Sequence, residues 1–181
     1  MAIDPGLDGG PDARPLAEGP EPLARLCDVW EDLRGEGGLP DRADLDPASI
    51  AFALGNVALV DIEHTPLRAR YRLVGIHLVE LWGRELKGRY VDEVYAEPIA
   101  AEAMQAYARV IETREPLYMR RTFRLSFGLL GYHRLMLPFH TGTPDRVDLV
   151  AVALYPTSPR VRTVMDWWCG RDRLGDTAAR R

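Results

Sequence analysis

The clearest amphipathic pattern runs from Arg68 to Gly88. Arg68, Arg70 and Arg72 alternate with Ala69, Tyr71 and Leu73, the period of a half-buried strand with a charged outer face. At Gly75 the period lengthens. Ile76 and Val79, with Leu78 and Trp82, recur at helical spacing until Gly83 stops the helix. Upstream, Leu23, Leu26, Trp30 and Leu33 form one stripe of a helix from Glu21 to about Gly35, with Pro22 in its first turn. Asp46 with Pro47 predicts an N-cap and a short helix to about Leu54, after a proline-rich extended connector. Val57 to His64 reads as a strand, and Thr65-Pro66-Leu67 as the turn of an antiparallel hairpin.

Beyond Gly88 the chain turns helical again. Tyr90 to Tyr95 can make one turn, and Glu97-Pro98 opens the strongest helix, to about Thr113. Ile99, Ala103, Met104, Tyr107, Val110 and Ile111 give that helix a continuous apolar face. Three strands follow, over Leu117–Phe127, Tyr132–Phe139 and Val147–Tyr155. Val161 to Trp168 is a further candidate helix, and the Arg-rich end reads as frayed. Two strands, a helical excursion and three strands predict an α+β fold with a five-stranded antiparallel sheet. Helices lie on one face, and an additional N-terminal helix precedes it. The expected organisation is a disordered tail over 1–20, a helical extension over 21–55, a core domain over 56–157 and a C-terminal helix or tail over 158–181.

Composition changes this picture little. The chain has 181 residues, 46% hydrophobic and 28% charged, as an ordinary globular protein does. A net charge of −4 carries no nucleic-acid footprint. Cys27 and Cys169 are too distant in sequence to suggest a disulfide framework or a metal motif. The N-terminus lacks a signal-peptide pattern and no apolar run is long enough to span a bilayer, so the expected location is cytoplasmic.

Several short motifs carry a resemblance. They are Trp30 with Arg34-Gly35, Leu39-Pro40-Asp41-Arg42 with Asp46-Pro47, Leu59-Val60-Asp61-Ile62 and Arg70-Tyr71-Arg72-Leu73-Val74-Gly75. Gly83-Arg84-Glu85-Leu86-Lys87-Gly88-Arg89, Glu115-Pro116 and Arg134-Leu135-Met136-Leu137-Pro138-Phe139 continue the series. In this order and spacing, from about residue 23 to 155, the chain resembles small bacterial stand-alone PAS-domain proteins. It departs from them at Leu54-Gly55, at Ile76 after Gly75, and in a longer hairpin over 140–146. The resemblance implies a non-catalytic sensory or protein-interaction module. Such a module binds a small molecule or partner between sheet and helices, and dimerises through an N-terminal helix or the outer sheet face. With about 25 residues after Tyr155, no output domain is expected to follow, so the signal would pass to an unidentified signalling protein by contact.

The cofactor stays unassigned. A haem-binding relative would present an axial histidine from the long helix, and Glu97 to Thr113 has none. Light-sensing flavin chemistry would need a cysteine inside the excursion, and both cysteines lie outside it. No zinc spacing or nucleophile elbow is present. The candidate ligand-binding residues are Tyr71, Leu73, His77, Trp82, Tyr107 and Arg121, with Tyr95 and Tyr132 as further wall aromatics. Arg121 interrupts the inward face of Leu117, Met119, Phe123 and Leu125. Either a carboxylate or phosphate pairs it, or a bulge or edge position lets it reach water. His77 could instead be a surface or cap residue, and the aromatics could be core. Arg120 and Arg124 would extend the basic face of Arg68, Arg70 and Arg72 if their strand shows the same side.

A second architecture fits a helix-plus-curved-sheet composition: the cone-shaped enzymes that include ketosteroid isomerase and polyketide cyclases. Asp61, His77 or His133 would then have to reach the pocket as acid or base. A structural dimerisation domain with a filled core is a third reading.

Overall fold

The computed structural model describes residues 12–13, 16, 19–97, 99–125 and 128–157. Helix α1 spans Glu21–Arg34, and strands β2 (Val57–His64) and β3 (Leu67–Val74) form the expected hairpin. Helices α2 (Ile76–Trp82), α3 (Val91–Val94) and α4 (Ile99–Thr113) make the excursion. Strands β4 (Leu117–Leu125), β5 (Gly128–Phe139) and β6 (Leu149–Pro156) complete the sheet. Within the segment read as a tail, Asp12 and Ala13 form a two-residue strand, β1, opposite Arg120 and Met119 of β4. The sheet order is β1-β4-β5-β6-β2-β3, with each neighbouring pair antiparallel. The candidate helix at Val161–Trp168 and the C-terminal tail lie outside the described residues.

Strand alternation sorts the sheet into two buried faces. Tyr132, Arg134 and Met136 of β5 share one with Arg121, Met119 and Leu117 of β4 and with Val152 and Leu154 of β6. The excursion covers it. Leu137 and Phe139 look the other way, with Ala151 and Ala153, toward Leu26 and Trp30 of α1. Trp30 anchors that layer, its indole Nε1 donating to the Pro138 carbonyl oxygen at 2.7 Å. The central strands are therefore covered twice, which is why β6 is buried at six consecutive positions, Leu149 to Leu154, rather than at alternate ones. The apolar stripe of α1 and the outer face of its own sheet cover each other.

Three local expectations change. The stretch after Asp46 is no α-helix but a run of turns. Asp46 Oδ1 accepts from Ala48 N, and three-residue steps lead to a 3₁₀ helix at Leu54–Asn56. In β3 the alternation breaks. Leu59 faces Leu73 but Val60 faces Tyr71, so Arg72 is an extra, bulged residue. One inserted residue moves the side chains beyond it to the other face. Leu73 is accordingly 47% exposed, not inward. In α2, Leu78, Leu81 and Trp82 are buried while Ile76 is 60% exposed, so the apolar stripe is rotated from the expected one.

Gly75 joins the hairpin to the excursion. Its N–H donates to Val57 O, and a Cβ placed on it would lie 2.3 Å from Leu54 O and 2.5 Å from Gly55 O. Backbone cannot rotate aside as a side chain can. Gly75→Ala is expected to lower stability by about 1–3 kcal/mol, the range of overpacked sites, read as a fall in urea midpoint.

Candidate functional site

A cavity of about 30 Å³ separates the excursion from the sheet. It has room for about two water molecules, against the 300–1,000 Å³ of a drug-sized ligand pocket. Four of the six residues singled out from sequence meet there: Tyr71, Trp82, Tyr107 and Arg121. Alternation in β3 before its bulge brings Tyr71, the buried face of α2 brings Trp82, and the apolar face of α4 brings Tyr107. Tyr95 and Tyr132 also line the space. The Tyr71 and Trp82 rings meet edge to face with centroids 6.3 Å apart, and the Tyr71 and Tyr95 hydroxyls lie at 3.3 Å.

Two candidates lie elsewhere. Leu73 falls on the opposite face because of the bulge. His77 is exposed, its Nδ1 2.9 Å from Asn56 Oδ1 and its ring against Gly55. It ties α2 to the 3₁₀ turn before β2.

Arg121 is 6% exposed and forms an ion pair with Glu102 of α4, so a carboxylate of the chain itself meets the buried guanidinium. Burial lowers the Arg121 pKa from its ordinary value; nearby Tyr132 opposes that shift and Arg134 adds to it. The group remains a cation. Arg134, the diagonal neighbour of Arg121 across β4 and β5, also lines the cavity. Its Nη2 lies 3.1 Å from Met119 Sδ, and its Nε is buried without a hydrogen-bond partner. Trp82 Nε1 is another buried donor without a partner. Burial pushes the Tyr107 hydroxyl well above the ordinary phenol range, with Tyr71 reinforcing and Arg134 opposing the shift. At neutral pH Tyr107 is therefore a hydrogen-bond donor rather than an anion.

Glu102 and Arg134 were missed as site residues. Arg134 shares the alternating face of Tyr132 and Met136, the same signal that exposed Arg121. Glu102 follows one turn after Ile99, beside the apolar face of α4, and reads as surface until β4 is laid beneath it.

The acid–base candidates do not converge. Asp61 lies on the other face of the sheet, 2.7 Å from Arg72 Nε, and His133 shares that face, with Nδ1 2.7 Å from the Tyr118 hydroxyl. The basic face is neutralised locally. Arg68 pairs with Asp92 and Glu93, and Arg70 and Arg72 with Asp61. Strand β4 lies at the far side of the sheet from β3, so Arg120 does not extend that face; the side chain of Arg124 lies outside the described residues. Among the described residues no group of three or more His, Cys, Asp or Glu is placed to hold a metal. Cys27 sits on α1, across the sheet from the cavity, its thiol pushed up to about 11 by burial and by Glu31 and Asp28. Among the described residues no thiol borders the cavity.

Burial, and then Arg120, hold the His133 pKa below its ordinary value of 6.5. The unfolded chain then binds more protons than the folded one in the window below about pH 6.5. The stabilising contribution is complete above that window and is lost as pH falls through the folded-state value. Unfolding midpoints measured from pH 8 to pH 5 should decline less steeply in His133→Gln than in the parent.

The sequence pattern defining the PAS domain matches residues 19–151. No curated protein matches the sequence. Solved structures similar to this chain include a light-oxygen-voltage domain studied with a flavin analogue. It is 12% identical over 65% of this chain and 87% of that one, with a TM-score of 0.45. A fungal light-oxygen-voltage photoreceptor is 16% identical over 77% and 93% of the two chains, TM-score 0.41. A sensory box histidine kinase/response regulator from Burkholderia thailandensis is 13% identical over 71% and 98%, TM-score 0.38.

Proposed function

We propose that this chain, which belongs to the PAS-domain family, is a non-catalytic sensory module that holds a small molecule between sheet and excursion. Tyr71, Trp82, Tyr107 and Arg121 contact the ligand. The observation that carries the reading is the cavity itself, bordered by buried hydrogen-bond donors and roofed by α2, α3 and α4 rather than by sheet. Helices held to a sheet by side-chain packing shift more readily than strands held by a ladder, so occupancy biases the position of the excursion. That movement changes the surface offered to a second copy of the chain or to a signalling protein. The helical excursion between the two strands of the hairpin and the last three disfavours the cone-shaped enzyme, whose helices precede one long sheet. Among the described residues no helix is long and apolar enough to cross a membrane.

The test is a thermal-shift survey of small metabolites covering acids, bases and neutral compounds. It is followed by amide-exchange mapping of any that stabilise the protein. At a ligand concentration of 100 times Kd the stabilisation expected is about 2.7 kcal/mol. Protection gained in α2 to α4 supports the reading. If no compound stabilises the protein or alters exchange there, it falls.

A further inference from the structure

We infer that the ligand is a short-chain monocarboxylate, a deduction that rests on the ligand-sensing role just proposed. The wall of the cavity holds two guanidinium groups, Arg121 and Arg134, and one carboxylate, Glu102. Glu102 pairs with Arg121. Arg134 has no carboxylate within 4.0 Å among the described residues; the acceptor nearest its Nη2 is a thioether sulfur, a weak one. Among the described residues the wall carries one more positive charge than negative. Arg134 Nε and Trp82 Nε1 are buried donors without a partner, and burial keeps the Tyr107 hydroxyl protonated and able to donate. A cation would meet two like charges here, and a neutral molecule would leave the excess charge uncompensated. A carboxylate supplies the missing charge and several acceptor lone pairs at once, in the planar geometry a guanidinium matches best.

Size and lining select the rest of the molecule. A space of about 30 Å³, room for about two water molecules, favours the smallest acids over longer ones. Leu78, Val91, Ile99 and Ala103 present apolar surface to that short chain. A phosphate monoester or a dicarboxylate would bring a second charge for which the wall holds no further cation among the described residues.

Acetate, propionate and butyrate titrated against the full chain, with propionamide as neutral isostere, test this. Binding is followed by amide chemical shifts in α2 to α4 and by thermal shift at constant ionic strength. Propionate is expected to bind and propionamide to bind at least about tenfold more weakly, the factor a charge-assisted hydrogen bond carries. Arg134→Gln should lose the preference for acid over amide, and Arg134→Lys should keep part of it. Glu102→Gln removes a like charge and should tighten propionate. Equal binding of acid and amide to the parent protein overturns the inference, as does an undiminished preference in Arg134→Gln. The parent comparison needs no variant to fold. A neutral or cationic compound that shifts the same amides while all three acids fail overturns the carboxylate assignment alone. Failure of every class overturns the sensing role as well.

Discussion

Glu102→Ala is expected to destabilise the protein by about 3 kcal/mol, the low end of the range for breaking a buried ion pair. The low end applies because the Glu102 side chain is 19% exposed and that of Arg121 only 7%. The loss comes less from the missing attraction than from the charge left behind. Arg121 sits beside Arg134 in a wall of aromatic and aliphatic groups, and without Glu102 it loses the carboxylate of that pair. Less of its desolvation is then offset. The double variant Glu102→Leu with Arg121→Leu removes both charges and should recover most of the loss, because an apolar pair needs no partner. Urea unfolding of the two single variants and the double variant measures the coupling directly. Additive losses, with no recovery in the double variant, would mean that the pair is not what holds α4 to β4.

The second large effect lies on the other face. Trp30→Ala should lower stability by about 3–5 kcal/mol, the range for truncating a buried aromatic, since Trp30 is 1% exposed between α1 and β5. Trp30→Phe keeps most of the ring volume but removes the donor to Pro138 O, so a cost of about 1–3 kcal/mol, that of an unsatisfied buried group, is expected from it. Denaturant unfolding followed by far-ultraviolet circular dichroism separates the two. Loss of helical signal at low denaturant in the alanine variant alone would mark release of α1 from the sheet.

Residue patterns exposed most of the framework. The hairpin of β2 and β3, the long α4 and the three closing strands each show a period of their own kind, 2 or 3.6, over enough positions to be read. Of the cavity wall, Tyr71, Tyr107 and Arg121 were legible because each sits on the inward phase of such a pattern. Leu73 was misread because a bulge leaves no local signature: Arg72 looks like any alternating arginine until β2 is laid beside it. The turns after Asp46 were read as a helix because an N-cap followed by proline starts both equally well.

The amino-acid sequence by itself determined most of the strands and helices, their order, and the membership of the family, because these follow from periodicities and turn chemistry within short windows. Only the tertiary structure decided what meets across the sheet. The pairing of Glu102 with Arg121 joins residues on different elements, and the diagonal approach of Arg134 depends on the β4–β5 register. Charge balance in a buried space is a property of that assembled wall. No single strand or helix contains enough of the wall for its excess of one positive charge to be read from the chain.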